Sequence, residues 1–136
     1  MAKFSAELPN ELIRQFEDLI DGGADQMMEE MVEEGAKYVY SEVDRNMRRV
    51  FKTTRSLEQG LKLAEAKRDP GNDTIFARVE FDGYNDKGIP IPLIALAREY
   101  GTSSGEHKKP FFRTAFKRGK ITDVMISVQK KYIPED

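Results

Sequence analysis

Between residues 24 and 50 the apolar side chains recur on one helical face for about seven turns, and no other stretch limits the possible folds so strongly. Ala24, Met27, Met28, Met31, Val32, Gly35, Ala36, Val39, Tyr40, Val43, Met47 and Val50 make the stripe. Its charge order suits the helix dipole, with Asp25, Glu29 and Glu30 early and Arg45, Arg48, Arg49 and Lys52 late. A helix of this length with one apolar side needs a second layer to cover it. Methionines at core spacing fill irregular gaps in packing, so the stripe reads as core rather than as a cofactor box. Gly35 and Ala36, small and mid-stripe, predict an element crossing close to the helix there.

The remaining chain supplies candidates for that layer. Upstream, ELIRQFEDLI places Leu12, Ile13, Phe16, Leu19 and Ile20 at three- and four-residue spacing behind Asn10, a candidate N-cap, and predicts a short amphipathic helix stopped by Gly22 and Gly23. Downstream, TTRSLEQGL predicts one helical turn capped by Thr54 or Ser56. Then the period changes toward two. Leu61, Leu63, Ala64 and Ala66 alternate weakly, whereas Ile75, Ala77, Val79 and Phe81 alternate cleanly with Thr74, Phe76, Arg78 and Glu80. RDPGND between them is rich in turn formers, so a β-hairpin is expected over residues 60 to 83. GYNDKGIPIP predicts a loop, because each proline lacks a backbone donor. LIALAREY is apolar enough for a buried helical turn or strand. Ile121, Val124, Met125, Val128 and Tyr132 return to helical spacing, with Gly119 expected to break or kink the helix between Phe116 and Ile121. The expected fold is α+β in a single domain over residues 1–136: a long N-terminal helix and a C-terminal helix packed on a small antiparallel β-sheet.

Composition narrows the chemistry. The chain has no cysteine, which excludes disulfides, thiolate nucleophiles and iron–sulfur clusters. No apolar run reaches the roughly 18 residues that span a bilayer, and the first residues lack a leader's apolar stretch, so a protein made and used without export or membrane contact is expected. A net charge of −2 conceals a chain of which 34% is charged. Between Glu7 and Glu34 a run of carboxylates meets only Arg14, while Lys108 to Lys131 is dominated by Lys and Arg. That asymmetry points to contacts between copies or with charged neighbours, beside the plainer reading of two solvated faces.

The stretch YGTSSGEHKKPFFRTAF, residues 100 to 116, concentrates the candidate functional groups. As a phosphate cradle it fails: no Gly-Lys-Ser/Thr tripeptide is present, Glu106 would oppose phosphate, and Pro110 follows the lysines. The single histidine, His107, sits among lysines that favour its neutral form and has no His-x-x-x-His partner or nucleophile elbow nearby. Glu29/Glu33 and Glu30/Glu34 have metal-compatible spacing but read as a solvated acidic face. Neither catalysis nor a cofactor is expected. Nucleic-acid binding remains the alternative, because His107, Lys108, Lys109, Arg113, Lys117, Arg118 and Lys120 interleave with Phe111, Phe112 and Phe116. If Pro110 opens a helix, however, Phe112, Ala115 and Phe116 share its core face, and Arg113 and Lys117 point outward for a carboxylate partner.

These residues resemble the signature of phage neck and tail-completion proteins, the gene-product-ten-like family related to minor tail protein Z. An aromatic-Gly-Thr element, a variable loop and a Pro-Phe-aromatic segment opening the last helix correspond to Tyr100, Gly101, Thr102, Pro110, Phe111, Phe112, Arg113, Ala115 and Phe116. Thr114 stands where that family often has a second proline, and FKTTRSLEQG replaces its usual Asp-Thr-Gly. The order of elements is also alike. The resemblance implies a non-enzymatic virion protein of a tailed phage, assembled in the host cytoplasm into a homo-hexameric ring that joins the head connector, or head-closure protein, to the tail terminator or tail tube. Taken with the acidic and basic ends of the chain, it leads us to expect subunit contacts through Gly101, Thr102, His107, Lys108, Lys109, Arg113, Lys117, Arg118 and Lys120, with Tyr100, Pro110, Phe111, Phe112 and Phe116 as anchors. Non-specific contact with DNA in the lumen is a further expectation.

Overall fold

The computed structural model describes residues 4–7, 24–71, 74–101 and 108–132. The predicted helix at residues 11 to 20 and its Asn10 cap lie outside them. Three strands form an antiparallel sheet in the order β1 (Phe4–Glu7), β3 (Thr74–Phe81), β2 (Leu61–Asp69). Among the described residues four α-helices accompany it: α1 (Ala24–Val50), α2 (Arg55–Gly60), α3 (Ile91–Tyr100) and α4 (Arg118–Tyr132), with a 3₁₀ turn at Arg113–Ala115. The expected α+β architecture is present, with a long helix and a C-terminal helix beside a small antiparallel sheet.

The stripe on α1 does what its spacing requires. Met27, Met28, Met31, Val32, Ala36, Val39, Val43 and Met47 are all buried, each large side chain contributing about 1.5–3 kcal/mol by leaving water. Met28, Val32, Ala36, Val39, Val43 and Met47 share one core with Ile75, Ala77, Val79 and Phe81, the inward set of β3. Helix α4 covers the other flank of the stripe, with Ile121 and Val128 turned inward. It runs antiparallel to α1: Lys117, just ahead of α4, bonds Glu42, while the Tyr132 hydroxyl at its far end donates to Glu30. That hydroxyl, with Lys131 adding its charge, holds the Glu30 carboxyl below its ordinary value.

Strand β2 alternates weakly because its register slips between Ala64 and Lys67, a bulge that spoils the two-residue period. Leu61 remains buried, but Leu63 is left 36% exposed at the sheet margin. Strand β1 has no signal of its own in FSAE; its pairing with Ile75, Phe76 and Ala77 of β3 supplies the order that its own sequence does not.

Gly60 joins α2 to β2 at a crowded point. A Cβ there would stand 2.4 Å from Ile91 Cγ2 and 2.8 Å from the Asp82 carbonyl oxygen, so only glycine fits beneath α3.

Candidate functional site

The site grows from the end of α3. Pro92 lies in the first turn of that helix, where its missing donor costs nothing, and Gly101 ends it at φ 79° while donating to the Ala97 carbonyl. A left-handed φ of this kind with extended ψ is open to glycine alone. The chain returns beside the helix it has just left, since the Lys109 N–H donates to the Arg98 carbonyl at 2.9 Å. Thr102 and His107 fall in residues 102–107, outside the described ones.

Glu99 organises the backbone of residues 111 to 113. This carboxylate is 4% exposed, and it accepts the N–H groups of Phe111 and Phe112 at 2.9 Å and of Arg113 at 3.2 Å. Backbone donors converging on one carboxylate form a cap on the segment. Asn46, buried on α1, holds the same segment from the opposite side: its Nδ2 donates to the Phe111 carbonyl at 3.1 Å and to Thr114 Oγ1 at 3.3 Å. Its Oδ1 accepts from Arg49. Sequence reading missed both residues. Asn46 is a polar position between Val43 and Met47 in an apolar stripe, and Glu99 is the lone acid in LIALAREY; those interruptions are the only signals they give.

Clasped in this way, the aromatic residues enter the core. Phe111 is fully buried, edge-on to Phe51 at 5.2 Å and to Phe81 at 5.9 Å. Phe112 is buried against Phe81, Ala115 is buried, and Phe116 packs half-buried on Phe112. The predicted helix from Pro110 is not formed. Instead a single 3₁₀ turn spans Arg113–Ala115, Phe116 leaves helical geometry at ψ 69°, and α4 begins at Arg118. Gly119 therefore lies in the first turn of α4 rather than at a break, and no positive φ marks it. Tyr100 is not a core anchor: it is 59% exposed and lies under the Arg113 guanidinium at 5.2 Å. Pro110 is half-buried.

The predicted interface cations divide into two groups. Arg113 and Lys117 find carboxylate partners within the chain, Arg113 with Glu99 at 3.4 Å and Lys117 with Glu42 at 3.3 Å. Glu42 also accepts from Arg45 at 2.7 Å. Burial pushes the Glu42 carboxyl up, but Lys117 and Arg45 outweigh that effect and hold it below its ordinary value. Lys108, Lys109, Arg118 and Lys120 are exposed and make no ion pair among the described residues. Two of these exposed cations precede the clasped segment and two follow it.

LIALAREY is a helix, as one of its two expected forms, but it is not buried on all sides. Ile91, Ala95 and Glu99 face inward, while Leu93, Leu96 and Tyr100 stand 59%, 46% and 59% exposed. Among the described residues no group of three or more metal-ligating side chains gathers, and no helix is long and apolar enough to cross a membrane. No protein-family model, curated protein or solved structure matches the chain.

Proposed function

We propose that this chain is a structural subunit of a tailed-phage virion, a neck or tail-completion protein that assembles with copies of itself into a ring between the head connector and the tail tube. The observation that carries the reading is the clasp of Glu99 and Asn46 on residues 111 to 114. It holds residues 111 to 114 on the core, with exposed Lys108 and Lys109 just ahead of them and exposed Arg118 and Lys120 just after. A segment held in this way suits repeated docking between identical subunits, where one contact used many times closes a ring if its rotation allows.

The nucleic-acid alternative loses two of its three stacking groups in this geometry, because Phe111 and Phe112 are buried and base stacking needs exposed rings; the third, Phe116, is half-buried on Phe112. What remains to it is an electrostatic contact through Lys108, Lys109, Arg118 and Lys120, compatible with DNA passing through a ring. Electron microscopy of the purified protein, with and without tail tubes, separates the two readings. Closed rings, alone or seated on tube ends, support the neck protein. A monomer or dimer that ignores tubes and retains DNA in a salt-sensitive manner supports the alternative.

A further inference from the structure

Helix α3 is apolar on two faces. Its inner face, Ile91 and Ala95 with the Glu99 clasp, is accounted for by packing on α2 and β3. Its outer face is not: Leu93, Leu96 and Tyr100 recur at i, i+3 and i+7 and are all exposed. Scattered exposed leucines need no explanation, but a contiguous stripe on one helix face marks a surface that another molecule covers. The stripe has a charged border. Arg113 lies over Tyr100, and the Lys109 N–H bonds to the Arg98 carbonyl, which brings the exposed Lys108 and Lys109 back to the last turn of α3.

A surface of complementary character lies between α1 and β2. There a shallow trench of about 210 Å³ has Leu63 and Ala64 as its apolar part, with Glu33 and Lys37 on the α1 side and Glu65 on the β2 side. Leu63 is exposed because the bulge after Ala64 interrupts the strand. Lys37 is bound to Glu34 at 3.1 Å, whereas Glu33 and Glu65 have no ion pair among the described residues, so the rim is acidic. A strand edge such as that of β2 also invites another strand. The charged residues Lys62, Glu65, Lys67 and Arg68 along it, with the bulge, oppose that mode and leave the trench as the usable feature.

We infer that the outer stripe of α3 docks into the α1–β2 trench of a second copy, Leu93, Leu96 and Tyr100 covering Leu63 and Ala64 while Lys108 and Lys109 meet Glu33 and Glu65. Both surfaces belong to every chain and are built from different elements, so the contact is heterologous and propagates from copy to copy. This inference rests on the homo-oligomer part of the proposed function and names the contact through which it occurs.

The absence of native cysteine makes the test clean. Two single variants, Leu96→Cys and Leu63→Cys, are mixed and treated with a short bismaleimide. The mixture is expected to give a covalent dimer that neither variant gives alone, and a chain carrying both substitutions is expected to give a ladder of multimers. Reversing Lys108 and Lys109 to Glu should abolish the dimer, and reversing Glu33 and Glu65 to Lys in the other partner should restore it. Cross-linking of Leu96→Cys with itself would mean that stripes pair with stripes, and no cross-link at all would mean that the trench is not the partner; either overturns the proposal. Leu93→Glu with Leu96→Glu should leave the urea midpoint of the chain unchanged; a large fall would show that the stripe is covered within its own chain, and would also overturn it. Electron microscopy of the same samples keeps the two claims apart. Rings without the cross-link refute this contact and spare the ring, whereas a ladder without rings upholds the contact and refutes the ring.

Discussion

The Glu99 carboxylate accepts the Phe111 N–H at 2.9 Å across twelve positions of chain, and both groups are buried. Removing the acceptor leaves the buried donors of Phe111 and Phe112, and the partly buried one of Arg113, without their partner. Glu99→Ala is expected to lower stability by about 3 kcal/mol, read as a fall in the urea unfolding midpoint. Glu99→Gln keeps one carbonyl oxygen for Phe111 and Phe112 but gives up the pair with Arg113, so its cost should be nearer about 1 kcal/mol. Equal effects of the two substitutions would contradict the cap.

A second prediction concerns acid. The Glu42 carboxyl lies below its ordinary 4.5 in the folded chain, so the unfolded state takes up a proton first as pH falls. Its contribution is therefore complete above about pH 5–6 and is lost as pH drops through 4.5 toward the lower folded value. Urea unfolding at pH 6 and at pH 3 should show a steep loss for the native chain and a shallower one for Glu42→Gln. Parallel losses would mean that the Lys117 and Arg45 pairs do not stabilise the fold.

Gly60→Ala tests the close approach of α3 to the hairpin. The added carbon meets a backbone oxygen at 2.8 Å as well as the Ile91 side chain, and a backbone atom cannot step aside without moving β3's end. A loss of about 1–3 kcal/mol is expected, seen as a lower thermal midpoint. A midpoint equal to the native one would show that the helix can shift freely there.

How far these features could be read in advance depended on how local their causes are. The α1 stripe and the β3 alternation are patterns within single segments, and Met27 to Met47 and Ile75 to Phe81 are buried as their spacing requires. Strand β1 gave no such pattern because its order comes from β3, some seventy positions away. The two-sided character of LIALAREY was hidden for a related reason: periodicity cannot tell which face of an apolar helix is covered. Most of the site depends on contacts of this kind. Glu99 and Asn46 act on Phe111 from 12 and 65 positions away, and by taking up its N–H and C=O they hold Phe111 in the core ahead of a single turn. Reading outward from Pro110 could predict only the helix that local spacing favours.

The remaining prediction separates assembly from folding. Reversing Lys108, Lys109, Arg118 and Lys120 to Glu should leave the urea midpoint within about 0.5 kcal/mol of native, since these side chains are exposed and carry no ion pair among the described residues. The same variant should fail to form rings. A variant that unfolds, or one that still assembles, would place the docking charge elsewhere.

The central claim is that this chain joins heads to tails, and particle assembly with and without it tests that claim most directly. Particles formed without the chain should accumulate as separate filled heads and tails under the electron microscope, and adding the purified native protein should join them. Complete particles formed in its absence would contradict the account.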